Sequence, residues 1–415
     1  MILKILRSLR KIMKNKTVIF IGDGMADEPI ESLGGQTPLQ YAKTPAMDYI
    51  ARKGVNGTLL TLPDAFPTSS DVANMSILGC SLASEYCGRG ALEAYGRGIE
   101  TDPEDIVFRV NLVTVDDDGN LSDFAGGRPN DEDCSEYIKV LNEQVGSELV
   151  KFYAGVSYRN ILVLKGGGFS TDVKTDKPDD NPGNPLAEHL PKSTSPEGEK
   201  TVELLRKIIE KASEALQNCD LTKKKIVSGA KYANSIWPWS GGSLKGLKTP
   251  KEKYGVSGAV ISAVDVIIGL GRALGLDSIA VEGATGYIDT NYEGKADATI
   301  EALKNHDFVY CHVEGTDEVS HEQNLELKIK AIEDLDQRLI QRVIDAFPAD
   351  ELNIALLPDH PVPVRIGKHT RIPVPVAVVK HGIEADEVQT FDEVECLKGS
   401  LGNMKEDDLM KLLFL

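Results

Sequence analysis

Apolar residues come in short unbroken runs along this chain, and the stretches between the runs carry the looser spacing of amphipathic helices. TVIFIGDG, beginning at Thr17, is a β-branched run closed by a Gly-Asp-Gly turn, and AKTPAMDYIARKG after it has helical periodicity. The same order returns in HDFVYCHVE followed by ELKIKAIEDLDQRLIQRVIDAF. Strand and helix alternating in this way predict an α/β sheet with helices on both faces. DSIAVE, FVYCHVE, NIALLPD and PVPVAVVK are short, apolar and β-branched. Strands buried on both faces read like this, so they are predicted to run parallel in the sheet that TVIFIGDG begins.

The texture changes between Ile106 and Lys231. FRVNLVTVDDDGNL and KFYAGVSYRNILVLKGG read as pairs of strands about Asp-Gly and Tyr-Arg turns, which predicts a smaller α+β domain inserted at 106–231. Residues 17–105 and 232–415 then form the first domain, and 1–16 an N-terminal extension. The most loop-like segment, STDVKTDKPDDNPGNPLAEHLPKSTSPEGEK, falls inside the insertion and reads as a mobile crossing or a binding loop. No internal repeat, coiled coil or low-complexity tract interrupts this plan.

Charge narrows the partners. With 64 acidic against 46 basic residues the 415-residue chain carries a formal charge of −18, which would repel nucleic acid and an anionic membrane alike. Any phosphate it binds must be met locally, by metal or by clustered arginines. The six cysteines are scattered singly with no Cys-x-x-Cys pair and no signal peptide, the pattern of reduced thiols in a cytoplasmic protein. MILKILRSLRKIMKNK alternates apolar and basic residues but lacks the apolar core of a secretion signal and is too short to span a bilayer. Nothing in the sequence decides between a monomer and a homo-oligomer.

Candidate chemistry gathers at the predicted strand ends. Asp23 follows TVIFI, Asp317 and His321 follow FVYCHVE, Asp359 and His360 follow NIALLP, and His369 lies just before PVPVAVV. Carboxylate oxygen and imidazole nitrogen hold divalent metals, and open α/β sheets put their binding crevice at the carboxyl ends of strands. Each residue alone has a plainer explanation: Asp23 as a turn residue, Asp317 and His321 as a helix-start acid and a surface histidine, Asp359 and His360 as loop residues before proline. The joint pattern is stronger than any member. A nucleophile is offered by Ser70 in DAFPTSSDVANMSILG, where a loop enters an apolar-periodic helix whose unpaired N–H groups favour an alkoxide or a phosphate. The plainer alternative there is that Ser69, Ser70 or Asp71 caps the helix.

IGDGMAD, FPTSSDVANMSILG, GRGALEAYGRGI, SYRNILVLKG, EGATGYIDTNYEGK, TDEVSHEQNLELKIKAIEDLD and PDHPVPVRIGKHTRIPVPV, taken in order, resemble the archaeal-type cofactor-independent phosphoglycerate mutases of the alkaline-phosphatase superfamily. The resemblance runs from Thr17 to the end of the chain. It implies an alkaline-phosphatase-like sheet and two divalent metal ions, manganese, zinc, magnesium or cobalt, with no need of 2,3-bisphosphoglycerate. By the same resemblance Ser70 is the phosphorylated nucleophile. Asp317, His321 and His369 would hold one metal; Asp23, Asp359, His360 and the Ser70 oxygen would hold the other. Arg109, Arg128 and Arg159 match the family's substrate-gripping arginines, and Lys231 resembles a lysine before the same strand in the longer mutases. GRGALEAYGRG resembles a glycine loop after the nucleophile helix.

The implied activity is interconversion of 3-phosphoglycerate and 2-phosphoglycerate through phosphoserine. Bacterial members of the group are also described as proposed homoserine kinases, and a metal-dependent phosphatase would use the same ligands and the same serine. No Gly-x-x-x-x-Gly-Lys-Ser/Thr loop supports a kinase. Two departures bear on substrate handling: Asp179 stands in KTDKPDDNPGNP where the bacterial branch has histidine, and Asn160 follows Arg159 where that branch often has it.

Overall fold

The structure is a computed structural model that describes residues 16–348 and 351–415. The expected extension lies outside the described residues except for Lys16, which opens the first strand. The described residues divide into two compact units, one reaching to Tyr86 and resuming at Leu247, the other Cys87–Gly246.

The first unit is built on an eight-stranded sheet. Its strands lie in the order Asp277–Ser278, Gly258–Ile261, Phe308–Val313, Lys16–Gly22, Leu352–Pro358, Val374–Val379, Val55–Leu60 and Gly402–Lys405. Lys16–Gly22 is buried at every position, as its unbroken apolar run requires of a strand covered on both faces. It runs parallel to both neighbours, with Gly22 opposite Val313 on one side and Pro358 on the other. That register brings Asp23, Glu314 and Asp359 out of the sheet at one level, along its carboxyl edge.

One expectation is overturned here. Val374–Val379 runs antiparallel to Leu352–Pro358 and to Val55–Leu60. Residues 359–373 contain no helix and turn the chain straight back, whereas a parallel return needs a crossover, usually helical. DSIAVE contributes only the two-residue strand Asp277–Ser278. The run ELKIKAIEDLDQRLIQRVIDAF is helical as predicted, with a π-helical stretch at Leu335–Ile340 between α-helical Leu325–Asp334 and Gln341–Asp345.

Behind the carboxyl edge a buried cation ties the loops together. Lys328 is fully buried and donates to Asp27 Oδ2 at 2.8 Å, to the Val362 carbonyl at 2.9 Å and to the Ala26 carbonyl at 3.3 Å. Asp27 Oδ2 also accepts from the Val364 amide at 3.0 Å. One ammonium therefore joins the segment after Asp23 to the segment after Asp359. Burial pulls the Lys328 pKa down, against the opposing charge of Asp27.

The second unit is an antiparallel sheet in which Ile106–Val115 pairs with Leu121–Asp123, Arg159–Leu164 and Ser235–Gly242, and Val150–Val156 completes the hairpin with Arg159–Leu164. Alternation sorts its faces. Phe108, Val110, Leu112, Leu162 and Leu164 pack with Tyr137, Leu141, Leu205 and Ile209, residues of the helices Asp131–Gln144 and Glu199–Asn218. Val107, Ile161 and Val163 pack on Ala91 and Ala94 of the helix Arg89–Gly96. The unit is therefore wider than the insertion expected at 106–231, because Ser235–Gly242 is a strand of its sheet and Arg89–Gly96 covers it. GRGALEAYGRG is correspondingly a helix rather than a glycine loop. The loop-like segment forms the small pair Val173–Lys174 with Lys192–Ser193 and three short 3-10 turns. Among the described residues no helix is long and apolar enough to cross a membrane.

Replacing Lys328 with methionine leaves Asp27 buried without its cation, so unfolding free energy should fall by about 3–5 kcal/mol, the cost of breaking a buried pair from one side. Urea denaturation measures it. A loss below about 1 kcal/mol would show that the tie contributes little.

Candidate metal centre and nucleophile

All seven sequence-predicted ligands lie in the first unit, and the structure brings them together. Ser70 is the first residue of the helix Ser70–Ile77, and no side chain caps that helix, so the plainer capping explanation is not realised. Ser70 Oγ instead lies 3.2 Å from His360 Nε2. The same nitrogen is 3.3 Å from Asp23 Oδ1 and 3.4 Å from Asp359 Oδ2. A second group adjoins: His321 Nε2 lies 3.0 Å from His369 Nε2 and 3.3 Å from Asp317 Oδ2, while His369 Nε2 is 3.6 Å from Asp317 Oδ1. The rings of His360 and His369 stack at 3.8 Å and join the two groups.

Gly24 permits the close approach. It sits at φ +61°, and a Cβ there would come within 2.8 Å of the Asp317 Cα, so any side chain would push Asp317 away from Asp23.

The donor set fits divalent metal. The Gly367 carbonyl lies 2.8 Å from His321 Nδ1 and can only accept, so Nδ1 carries a hydrogen, and in the neutral ring Nε2 presents its lone pair to His369 and Asp317. Asp23 Oδ1 and Asp317 Oδ1 are buried without a hydrogen-bond partner. Acceptors crowded on acceptors require a cation or a proton between them. With protons alone, the hydrogen bond to Asp317 raises His321 to about 9. Burial works against the Asp317 carboxylate, but His321 and the neighbouring imidazoles outweigh it and hold Asp317 at about 2. Burial and the charges of Asp359, Glu314 and Asp317 push Asp23 well up; burial raises Asp359 to about 6. Burial lowers His360 to about 4 and His369 to about 3, leaving both neutral and able to ligate.

Two further groups were missed in the sequence. His312 is fully buried, with Nε2 3.0 Å from Asp23 Oδ2 and Nδ1 3.2 Å from Ser262 Oγ. Asp23, His312 and Asp359 together have metal-site spacing, as do Asp317, His360 and His369. Glu314 Oε2 is buried 3.9 Å from His312 Nε2, and burial raises its carboxyl to about 8. The signals existed: His312 is the one imidazole inside the strand FVYCHV, and Glu314 directly follows that strand at the level where Asp23 and Asp359 follow theirs.

The four basic candidates belong to the second unit and fall into two pairs. Arg109 is 7% exposed, bonds Glu93 Oε2 through Nε at 3.0 Å and lies 4.3 Å over the Trp239 ring. Arg89 holds the other Glu93 oxygen at 2.8 Å. Burial lowers Arg109 to about 10, and the charges of Arg89 and Arg159 add to the fall. Exposed Arg159 lies 5.2 Å over Tyr158. Arg128, in the left-handed region at φ 51°, lines a cavity of about 670 Å³ with Lys231, and neither Arg109 nor Arg159 lines it. Asp179 pairs with Lys177 at 3.0 Å. Asn160 lies on the opposite face of the sheet from Arg159, where its Oδ1 accepts from the Gly155 amide at 2.9 Å and the Cys134 thiol at 3.1 Å.

Comparison with known proteins agrees with this geometry. The family model of the Metalloenzyme superfamily matches residues 15–414. The 2,3-bisphosphoglycerate-independent phosphoglycerate mutase of Methanosarcina barkeri is 43% identical over 401 residues, 96% of this chain and 99% of its own. Among solved structures, a Pyrococcus horikoshii protein matches with a TM-score of 0.80 and 29% identity over 96% of each chain. The cofactor-independent phosphoglycerate mutase of Thermoplasma acidophilum matches at 0.70 with 26% identity, covering 96% of this chain and 98% of that one. A superfamily match spanning the whole metal cluster, joined to a relative this similar from end to end, means that the chain belongs to the 2,3-bisphosphoglycerate-independent phosphoglycerate mutases of the Metalloenzyme superfamily.

Proposed function

We propose that this protein interconverts 3-phosphoglycerate and 2-phosphoglycerate, with Ser70 carrying the phosphoryl group between the two transfers. The observation that supports it most is the seven-residue cluster of acids, imidazoles and one serine at a single sheet edge, in a chain of this family. Asp317, His321 and His369 would hold one divalent ion; Asp23, Asp359, His360 and Ser70 Oγ would hold the other. Manganese, zinc, magnesium and cobalt all suit this oxygen and nitrogen donor set. Such ions, when bound, neutralise phosphoryl charge and favour the ionised serine.

In the first transfer the Ser70 Oγ–P bond forms and the bond from phosphorus to the 3-oxygen of glycerate breaks; that oxygen keeps the electron pair and takes up the serine proton. In the second, the 2-oxygen of glycerate bonds to phosphorus as the Ser70 Oγ–P bond breaks; Ser70 Oγ keeps the electron pair and takes up the proton that the 2-hydroxyl gives up. No phosphate donor enters, in keeping with independence from 2,3-bisphosphoglycerate. Glycerate must stay bound between the steps, and its carboxylate matches guanidinium forks. Arg109 is braced by Glu93, so exposed Arg159 is the better placed of the pair to take a carboxylate. Arg128 and Lys231 offer a second cationic surface for substrate. Residence in the cytoplasm belongs to the same proposal and draws support from the six cysteines, all unpaired.

Ser70→Ala should lose measurable mutase activity while keeping its fold, since no cap is removed; substantial turnover in the folded variant would rule out the phosphoserine route. Stripping metal with a chelator should abolish activity and lower thermal stability. A ligand at 100 times its Kd contributes about 2.7 kcal/mol, and removing it leaves the buried carboxylates facing one another. Calorimetry on stripped and reloaded protein tests this, and an unchanged Tm would contradict it.

Arg159→Ala separates a mutase from a phosphatase. A lost charged hydrogen bond of about 1.5–3 kcal/mol corresponds to a roughly 10- to 100-fold fall in isomerisation. Hydrolysis of an aryl phosphate, which has no glycerate to retain, should change less than about twofold. Equal losses in both reactions would remove Arg159 from carboxylate binding.

A further inference from the structure

Asn74 lies one turn beyond Ser70 on the same helix and is fully buried. Its Nδ2 donates at 2.8 Å to the Ser70 carbonyl and at 2.8 Å to Asp359 Oδ2, while its Oδ1 accepts a hydrogen bond from the Tyr310 hydroxyl. A primary amide has two N–H hydrogens, so both are spent. The flipped amide would set its oxygen against a carbonyl and a carboxylate, and its NH2 against a hydroxyl. Tyr310 is itself fully buried in the strand Phe308–Val313. With every group dry, one orientation satisfies all of them and the alternative leaves acceptor facing acceptor.

The same carboxylate is held from its other side. Asp359 Oδ1 accepts from the Gly24 amide at 3.1 Å and from the His360 amide at 2.7 Å. Three donors thus fix its plane, and Oδ2 also lies 3.4 Å from His360 Nε2, the nitrogen beside Ser70 Oγ.

We infer that Tyr310 and Asn74 form a positioning pair: the tyrosine orients the amide, and the amide fastens the Asp359 carboxylate to the main chain of Ser70. Neither residue touches substrate. Metal carboxylate and nucleophile thereby move as one body, so a cation drawn by Asp359 meets the Ser70 oxygen at a fixed distance. This rests on the roles proposed for Asp359 and Ser70.

The test uses Tyr310→Phe, which removes one oxygen from a packed ring, together with Asn74→Ala and the double variant. Metal-stripped protein is titrated calorimetrically with Mn2+, and kcat and KM are measured after reloading. Tyr310→Phe should weaken one Mn2+ equivalent by about 10-fold and Asn74→Ala by about 10- to 100-fold, the usual range for a group that orients a ligand. In both variants kcat should fall at unchanged KM. The double variant should be no worse than Asn74→Ala, because Tyr310 acts only through Asn74.

Wild-type Mn2+ affinity and kcat in Tyr310→Phe would overturn the inference, as would losses that add in the double variant, since both describe packing alone. Should Asn74→Ala fail to fold, Tyr310→Phe decides by itself. The titration needs no turnover, so it holds whether or not Ser70 is the nucleophile. Wild-type protein that takes up no Mn2+ would overturn the metal assignment and this inference together.

Discussion

Three carboxylates buried at the ends of adjacent strands repel one another, and that repulsion is the constraint to which the first unit is fitted. Two such charges 4 Å apart at an effective dielectric of about 20 oppose each other by about 4 kcal/mol. Whole domains are stable by only about 5–15 kcal/mol. Asp23, Asp317 and Asp359 are nonetheless held in place by the parallel register of three strands, by the missing Cβ of Gly24 and by Lys328 behind them. Protons relieve the crowding in part, which is why burial and neighbouring charge hold Asp23, Asp359 and Glu314 above the ordinary carboxylate range. Divalent cations would relieve it more fully, and the neutral imidazoles of His360 and His369 could accept them without adding further charge.

Much of this was legible in the sequence because strand ends announce themselves. An apolar β-branched run that stops at an acid marks both the strand and a candidate ligand, as in TVIFIGD and NIALLPDH. His369 was identified, but not the reason it reaches the site: the return of Val374–Val379 is antiparallel, and a short apolar run carries no sign of its direction. His312 and Glu314 were passed over because an ionisable residue within or beside a core strand looks like packing until the register of its neighbours is known.

The second unit reaches beyond 106–231 for a related reason. Ser235–Gly242 reads as the first strand after an insertion, yet its partner is Ile106–Val115, more than a hundred residues earlier. Pairing over that distance leaves no local trace. The basic residues show a similar limit: the family resemblance marks Arg109, Arg128, Arg159 and Lys231 as substrate-binding candidates, but only the structure separates Arg109, committed to Glu93, from Arg128 and Lys231, which face one cavity.

The order in which the site's residues leave the ribosome follows from the same topology. Asp23 is made early, whereas His369 is 346 positions later and reaches the others only through the reversal that precedes Val374–Val379. Contacts between such distant positions form late, after the loop-closure entropy has been met. A growing chain therefore carries isolated acids and single imidazoles until His369 has been made. Paired metal uptake by this cluster would begin only once the chain has been made past Val379.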